Sequence, residues 1–167
     1  MAVVRVYVPV GRRSLAHLAE AGVLEAAPER PVAAYAVTPE LSAGAPAADV
    51  EDLEYAAFCD AVRAAAAARD LPGDRRVVLA ADADPGQLLP GAARPAGGGG
   101  VAGGADRQAT ASRVSLVGPL RLERVASCHV DEEPHGSGPP GAEDGPLPLE
   151  LLWYDVTELA EVRRLLS

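Results

Sequence analysis

The chain has no lysine: all 15 of its basic residues are arginine. That absence rules out a Schiff base to a protein lysine, a pyridoxal phosphate anchor, a phosphate-loop lysine and a lysine general base. Cysteine is nearly as scarce. Cys59 and Cys128 lie far apart in apolar runs, with neither zinc-site nor redox-pair spacing, so both are expected as reduced, buried thiols. No segment approaches the ~18 apolar residues of a membrane span, and Arg5 interrupts the short apolar run near Met1. The expected location is the cytoplasm, with no membrane partner. Positive charge is also in deficit, the formal net charge being -9. Nucleic acid is therefore not an expected partner, because its affinity comes mainly from Lys and Arg neutralising phosphates. No G-x-S-x-G elbow, no H-E-x-x-H and no recognisable Cys-His spacing supports a serine, metallo- or thiol hydrolase.

What is present is 167 residues of alternating strand and helix signals. Strands are expected at 3–8, 32–37, 76–81, 113–118, 125–130 and 149–154, the third apolar throughout and so central. A helix capped by Ser14 should bury Leu15, Leu18 and Ala19, leave His17 in solvent and stop at Gly22. Thr38 and Pro39 start a brief helix. Asp49 caps a long one over 50–69, with Tyr55, Phe58, Cys59, Val62, Ala65 and Ala66 on the face that packs on the sheet. Asp155 and Glu158 open a last helix. This alternation predicts a single α/β domain over 1–167, with a mostly parallel or mixed sheet of about five to six strands and two to three packed helices. Gly/Pro-rich tracts at about 85–111 and 132–148 read as low-complexity loops.

Two apolar runs end in acids. One reaches Asp82 and Asp84, the other His129 and Asp131. In a doubly wound sheet such positions gather at the carboxyl edge, where ligands bind. His129, Asp131, Glu133 and His135 also alternate, so extended backbone would turn all four to one side, a donor set suited to Zn²⁺ or Mn²⁺. Pro134 works against that geometry, and a buried, hydrogen-bonded His129 is the plainer expectation. Asp82-x-Asp84 resembles the first motif of haloacid dehalogenase-like phosphohydrolases, which implies a nucleophile at Asp82 and a leaving-group proton handler at Asp84. The departures are that this strand comes third, no lysine follows, and no Thr or Ser follows Asp84. Gly98, Gly100 and Gly103 match G-x-G-x-x-G, but Arg94, Pro95 and Ala96 stand where a strand is required. Glu150, Trp153, Glu158 and Leu159 resemble late elements of Nudix pyrophosphohydrolases, whose acid-rich helix is missing here.

The ordered set Arg5 to Pro9, Ala36 to Pro39, Leu53 to Ala57, Val77 to Asp82, His129 to Asp131 and Glu150 to Tyr154 resembles a family of small uncharacterised bacterial proteins, a domain of unknown function rich in Arg and Ala with a Glu-x-x-Trp-Tyr element. The resemblance implies no nameable activity. Within that layout Glu54, Tyr55, Glu150, Trp153 and Tyr154 are the expected binding or interface residues. The expected function is a non-enzymatic binding or regulatory protein with a protein partner and no cofactor, its oligomeric state left open. The alternative is a metal-assisted hydrolase of a phosphate ester, in which Asp82, Asp84, His129 and Asp131 converge on Mg²⁺ or Mn²⁺, with an arginine such as Arg12 or Arg13 steadying the transferring group.

Overall fold

Side chains alternate along β1 (Val4–Val10), so Val6, Val8 and Val10 are buried on one face while Arg5 and Tyr7 turn to the other. A computed structural model describes residues 2–91, 111–134 and 149–167. In it β1 lies between β3 (Val32–Ala36) and β4 (Val77–Ala83) and runs antiparallel to both. The sheet continues through β6 (Arg113–Leu116) to β5 (Leu88–Pro90) on one side, and through β8 (Val125–Val130) to β9 (Leu152–Asp155) on the other. A separate antiparallel pair joins β2 (Val23–Leu24) to β7 (Leu120–Arg121).

The sheet covers its two faces differently. On one face, α1 (Arg12–Ala21) and α4 (Leu159–Leu165) cover the core of Val6, Val8, Leu79, Leu116, Cys128 and Val130. The other face receives α3 (Val50–Ala68), preceded by the short α2 (Pro39–Gly44). Capping follows residue chemistry: Thr38 accepts from Leu41 N–H at 3.1 Å and Asp49 from Asp52 N–H at 2.9 Å. Helix α1 ends at Gly22, whose φ of 73° is left-handed.

Several expectations need correction. The sheet is antiparallel throughout and has seven strands, not five to six in a parallel or mixed arrangement. For the β3–α3–β4 unit the cause is β1: α3 does link the like-directed β3 and β4, but β1 lies between them with opposite polarity, so this crossover does not produce a parallel pair. Strand β1 also runs through Pro9, which reads as a stop. Its ladder with β3 ends at Tyr7, so Pro9 lies where β1 is paired on one side only and a missing N–H is tolerated.

The N-cap of helix α1 is Gly11, not Ser14. Asp70 Oδ2 accepts from Arg13 N–H at 2.9 Å, and a Cβ on Gly11 would lie 2.5 Å from that oxygen. The packed face of α3 is Leu53, Ala57, Ala61, Val62 and Ala65, whereas Tyr55 is 62% exposed. The alanines let the helix settle closely over β1 and β3, which rolls Tyr55 outward. The start of the expected loop at 85–111 is a 3-10 turn, Pro85–Gln87, followed by β5. Residues 92–110 and 135–148, including the glycine fingerprint and His135, lie outside the described residues. Among the described residues no helix is long and apolar enough to cross a membrane.

Candidate functional site

Antiparallel pairing decides which candidates meet. The ends of β4 and β8 lie at opposite edges of the sheet: Asp82 sits beside Arg5, while Asp131 N–H donates to Arg76 O at 3.1 Å. Six residues of strand separate the two acids, roughly 20 Å at ~3.3 Å per residue, too far for one ion to join them. The carboxyl-edge convergence of Asp82, Asp84, His129 and Asp131 therefore does not occur.

Each acid has local work. Asp131, 3% exposed, takes Arg76 Nη2 at 2.8 Å, Nε at 3.0 Å and the Arg76 N–H at 2.7 Å, all beneath the sheet end. Asp82 accepts from Arg5 Nε at 2.7 Å. Asp84 N–H donates to Gln87 Oε1 at 3.0 Å, and its carboxylate lies 3.8 Å from Arg124. Among the described residues no group of three or more His, Cys, Asp or Glu is arranged to hold a metal ion.

A different cluster does assemble, on the sheet face beside α3. In register, Ala80 lies between Tyr7 and Ser127, and His129 lies between Val78 and Trp153. The small Ala80 leaves a depression that larger neighbours wall in. Helix α3 supplies the other wall with Glu51, Glu54, Tyr55 and Phe58, enclosing a groove of about 420 Å³. Phe58 is its hub, with ring centroids 4.8 Å from His129, 5.6 Å from Tyr7 and 6.5 Å from Tyr55. Trp153 stands on the outer strand at 60% exposure. Of the expected interface residues, Glu54, Tyr55 and Trp153 share this groove, and Glu150 lies within electrostatic reach of Tyr55. Tyr154 does not share it, since it packs on the opposite core beside the α1 face.

Arg5, Tyr7, Glu51, Phe58 and Ser127 also line the groove and were not among the expected site residues. Their signal is period two: Arg5 with Tyr7, and Ser127 with His129, place polar groups on one face of strands whose other face is apolar. A larger depression of about 600 Å³ between α1 and α4 is lined by Arg12, Arg13, Arg163 and Arg164. Three of these pair with acids: Arg12 with Asp74 at 3.6 Å, Arg163 with Glu20 at 2.7 Å, and Arg164 with Glu161. That leaves little net attraction for an anion.

The groove is poorly equipped for bond-breaking chemistry. Ser127 Oγ and His129 Nε2 share a hydrogen bond of 3.1 Å, but Ser127 is only 6% exposed. Among the described residues that is the imidazole's single hydrogen bond, with no carboxylate behind the ring. Burial pushes the His129 imidazole down to about 4, so at neutral pH it is an uncharged, weak base. The same shift makes a stability prediction. An unfolded chain protonates this histidine near its ordinary value of 6.5 and the folded one only near 4. Protonation therefore favours unfolding, and the stability present above the unfolded value is lost progressively as pH falls to about 4. We expect a loss on the order of 2 kcal/mol after solvent screening, measured by urea unfolding of wild type against His129→Gln. Parallel pH profiles for the two proteins would contradict it.

No curated protein and no solved structure matches the chain. A family model described as a family of unknown function, DUF6912, matches residues 4–162. Because that match takes in all seven strands of the sheet and both walls of the groove, the chain belongs to this family of unknown function.

Proposed function

We propose that the protein is a non-catalytic binding or regulatory module that holds a segment of a partner protein in the groove between α3 and the β8–β9 side of the sheet. One observation carries this reading. Two large aromatic side chains, Tyr55 at 62% and Trp153 at 60% exposure, line one groove whose half-buried interior is held by the Phe58–His129 contact. Tyr and Trp in such settings are the residues most enriched at protein interfaces, because they offer large rigid area at small entropic cost. The absence of lysine, the low basicity of His129 and the burial of Ser127 favour recognition over turnover.

The test uses the lone tryptophan. A partner captured by the wild type should shield Trp153 from acrylamide quenching, and Trp153→Ala should weaken capture at least ~30-fold, the size of an aromatic hot spot. Because Trp153 is exposed, the same substitution should change unfolding free energy by no more than about 1 kcal/mol. A partner that binds wild type and Trp153→Ala equally would remove the groove from the reading.

A further inference from the structure

We infer that the groove receives an arginine side chain carried by the partner, stacked against the aromatic walls and paired with the α3 carboxylates. This rests on the reading of the groove as a partner site and adds the chemistry of what enters it.

The argument begins with charge. Arg5 is the groove's one basic residue, and its guanidinium is engaged by Asp82, Nε to Oδ1 at 2.7 Å. Glu51 and Glu54 stand one helical turn apart on the groove wall, and neither forms an ion pair with a described residue. Glu54 is close enough to bear electrostatically on both Arg5 and Tyr7. His129 adds no positive charge at neutral pH. Arg5 against Asp82, Glu51 and Glu54 leaves the groove net negative, so an anionic occupant is repelled and a cationic one attracted.

The walls then discriminate among cations. Four aromatic rings surround the space: Tyr7, Tyr55, Phe58 and Trp153. Ring faces carry negative electrostatic potential and attract a cation lying over them. A guanidinium is planar, sheds water more readily than an ammonium, stacks on aromatic faces and still presents N–H donors at its edge to a carboxylate. A lysine ammonium matches the carboxylates but not the flat aromatic walls, and a neutral ring matches the walls but leaves two acids unused. The arginine side chain uses both.

Trp153 is the only tryptophan in the chain, so its emission reports the groove directly. The probe is an acetylated, amidated hexapeptide, Gly-Ser-Arg-Gly-Ser-Gly, with versions carrying citrulline, lysine or glutamate in place of arginine. Citrulline keeps the shape and removes the charge. We expect saturable change in Trp153 emission with the arginine peptide, about tenfold weaker binding for citrulline and a smaller loss for lysine. Glutamate should give no saturation. Glu54→Gln should weaken the arginine peptide about fivefold. Glu29→Gln, which removes the same charge from an exposed turn before β3 that does not line the groove, should change it less than about twofold.

Equal affinity for arginine and citrulline, or equal effects of Glu54→Gln and Glu29→Gln, overturns the inference. If a captured partner still depends on Trp153 in that case, the groove stands as a binding site with a different occupant. If dependence on Trp153 is also absent, the underlying reading fails as well.

Discussion

Asp131→Ala lowers the unfolding free energy by about 3–5 kcal/mol, the range for removing one member of a buried ion pair. Arg76 has no exposed surface and Asp131 is 3% exposed, so the guanidinium that loses this carboxylate gains no bulk water in exchange. The loss is compounded because Asp131 also accepts the Arg76 backbone N–H at 2.7 Å. Urea unfolding of Asp131→Ala, Arg76→Met and the double variant gives the coupling directly. The double variant should recover much of the loss, since apolar groups of similar volume replace buried pairs at little cost. The result also separates two roles for Asp131. An ion-pair member leaves wild-type stability insensitive to Mg²⁺ or Mn²⁺, whereas a metal ligand would make it rise with either ion. Additive losses in the single variants would show that Arg76 and Asp131 do not support each other.

Leu79→Ala costs about 2–5 kcal/mol, the transfer term plus the cavity left by incomplete collapse. Leu79 is fully buried on the face covered by α1 and α4. Its neighbours Val78 and Ala80 point to the α3 side. The variant is therefore destabilised from the face opposite the groove. Well below its lowered melting temperature it should keep wild-type Trp153 emission, and any ligand affinity should change less than about twofold because sites without shared partners act nearly independently. A large change in Trp153 emission at full folding would mean that the two faces are mechanically coupled through β4.

Six of the seven sheet strands were legible in the sequence as short apolar runs, and the one at 125–130 coincides with the observed β8, whereas β5 was hidden inside a Gly- and Pro-rich tract that reads as a loop. Helix ends were legible where a side chain caps them, as at Thr38 and Asp49. Strand direction was not, because nothing in the residues of β3, α3 and β4 records that β1 occupies the space between them. A second hidden polarity, the antiparallel pairing of β8 with β4, turned a carboxyl-edge cluster into two acids at opposite ends of the sheet. The rotation of α3 was also hidden: an apolar helix rich in alanine has a weakly defined inner face, and contact with β1 and β3 chose Leu53, Ala57 and Ala61 over Tyr55. Asp60 was invisible for a related reason. A charged residue on a helix reads as solvated, yet it is 1% exposed and accepts from Ser112 Oγ at 2.7 Å. Burial raises its carboxyl above the ordinary range.

The position of β1 also orders events during synthesis. Its ladder with β4 runs from Val10↔Val77 to Val4↔Ala83, so a ribosome must deliver α1, β3 and α3 before the central strand acquires its longest partner. Until then the nascent chain carries an apolar strand with one bare edge, the condition under which unfinished sheets pair with one another. Contacts this distant in sequence also close slowly. Stalling between β3 and β4 is therefore the interval in which this chain is most exposed to chaperones and to aggregation.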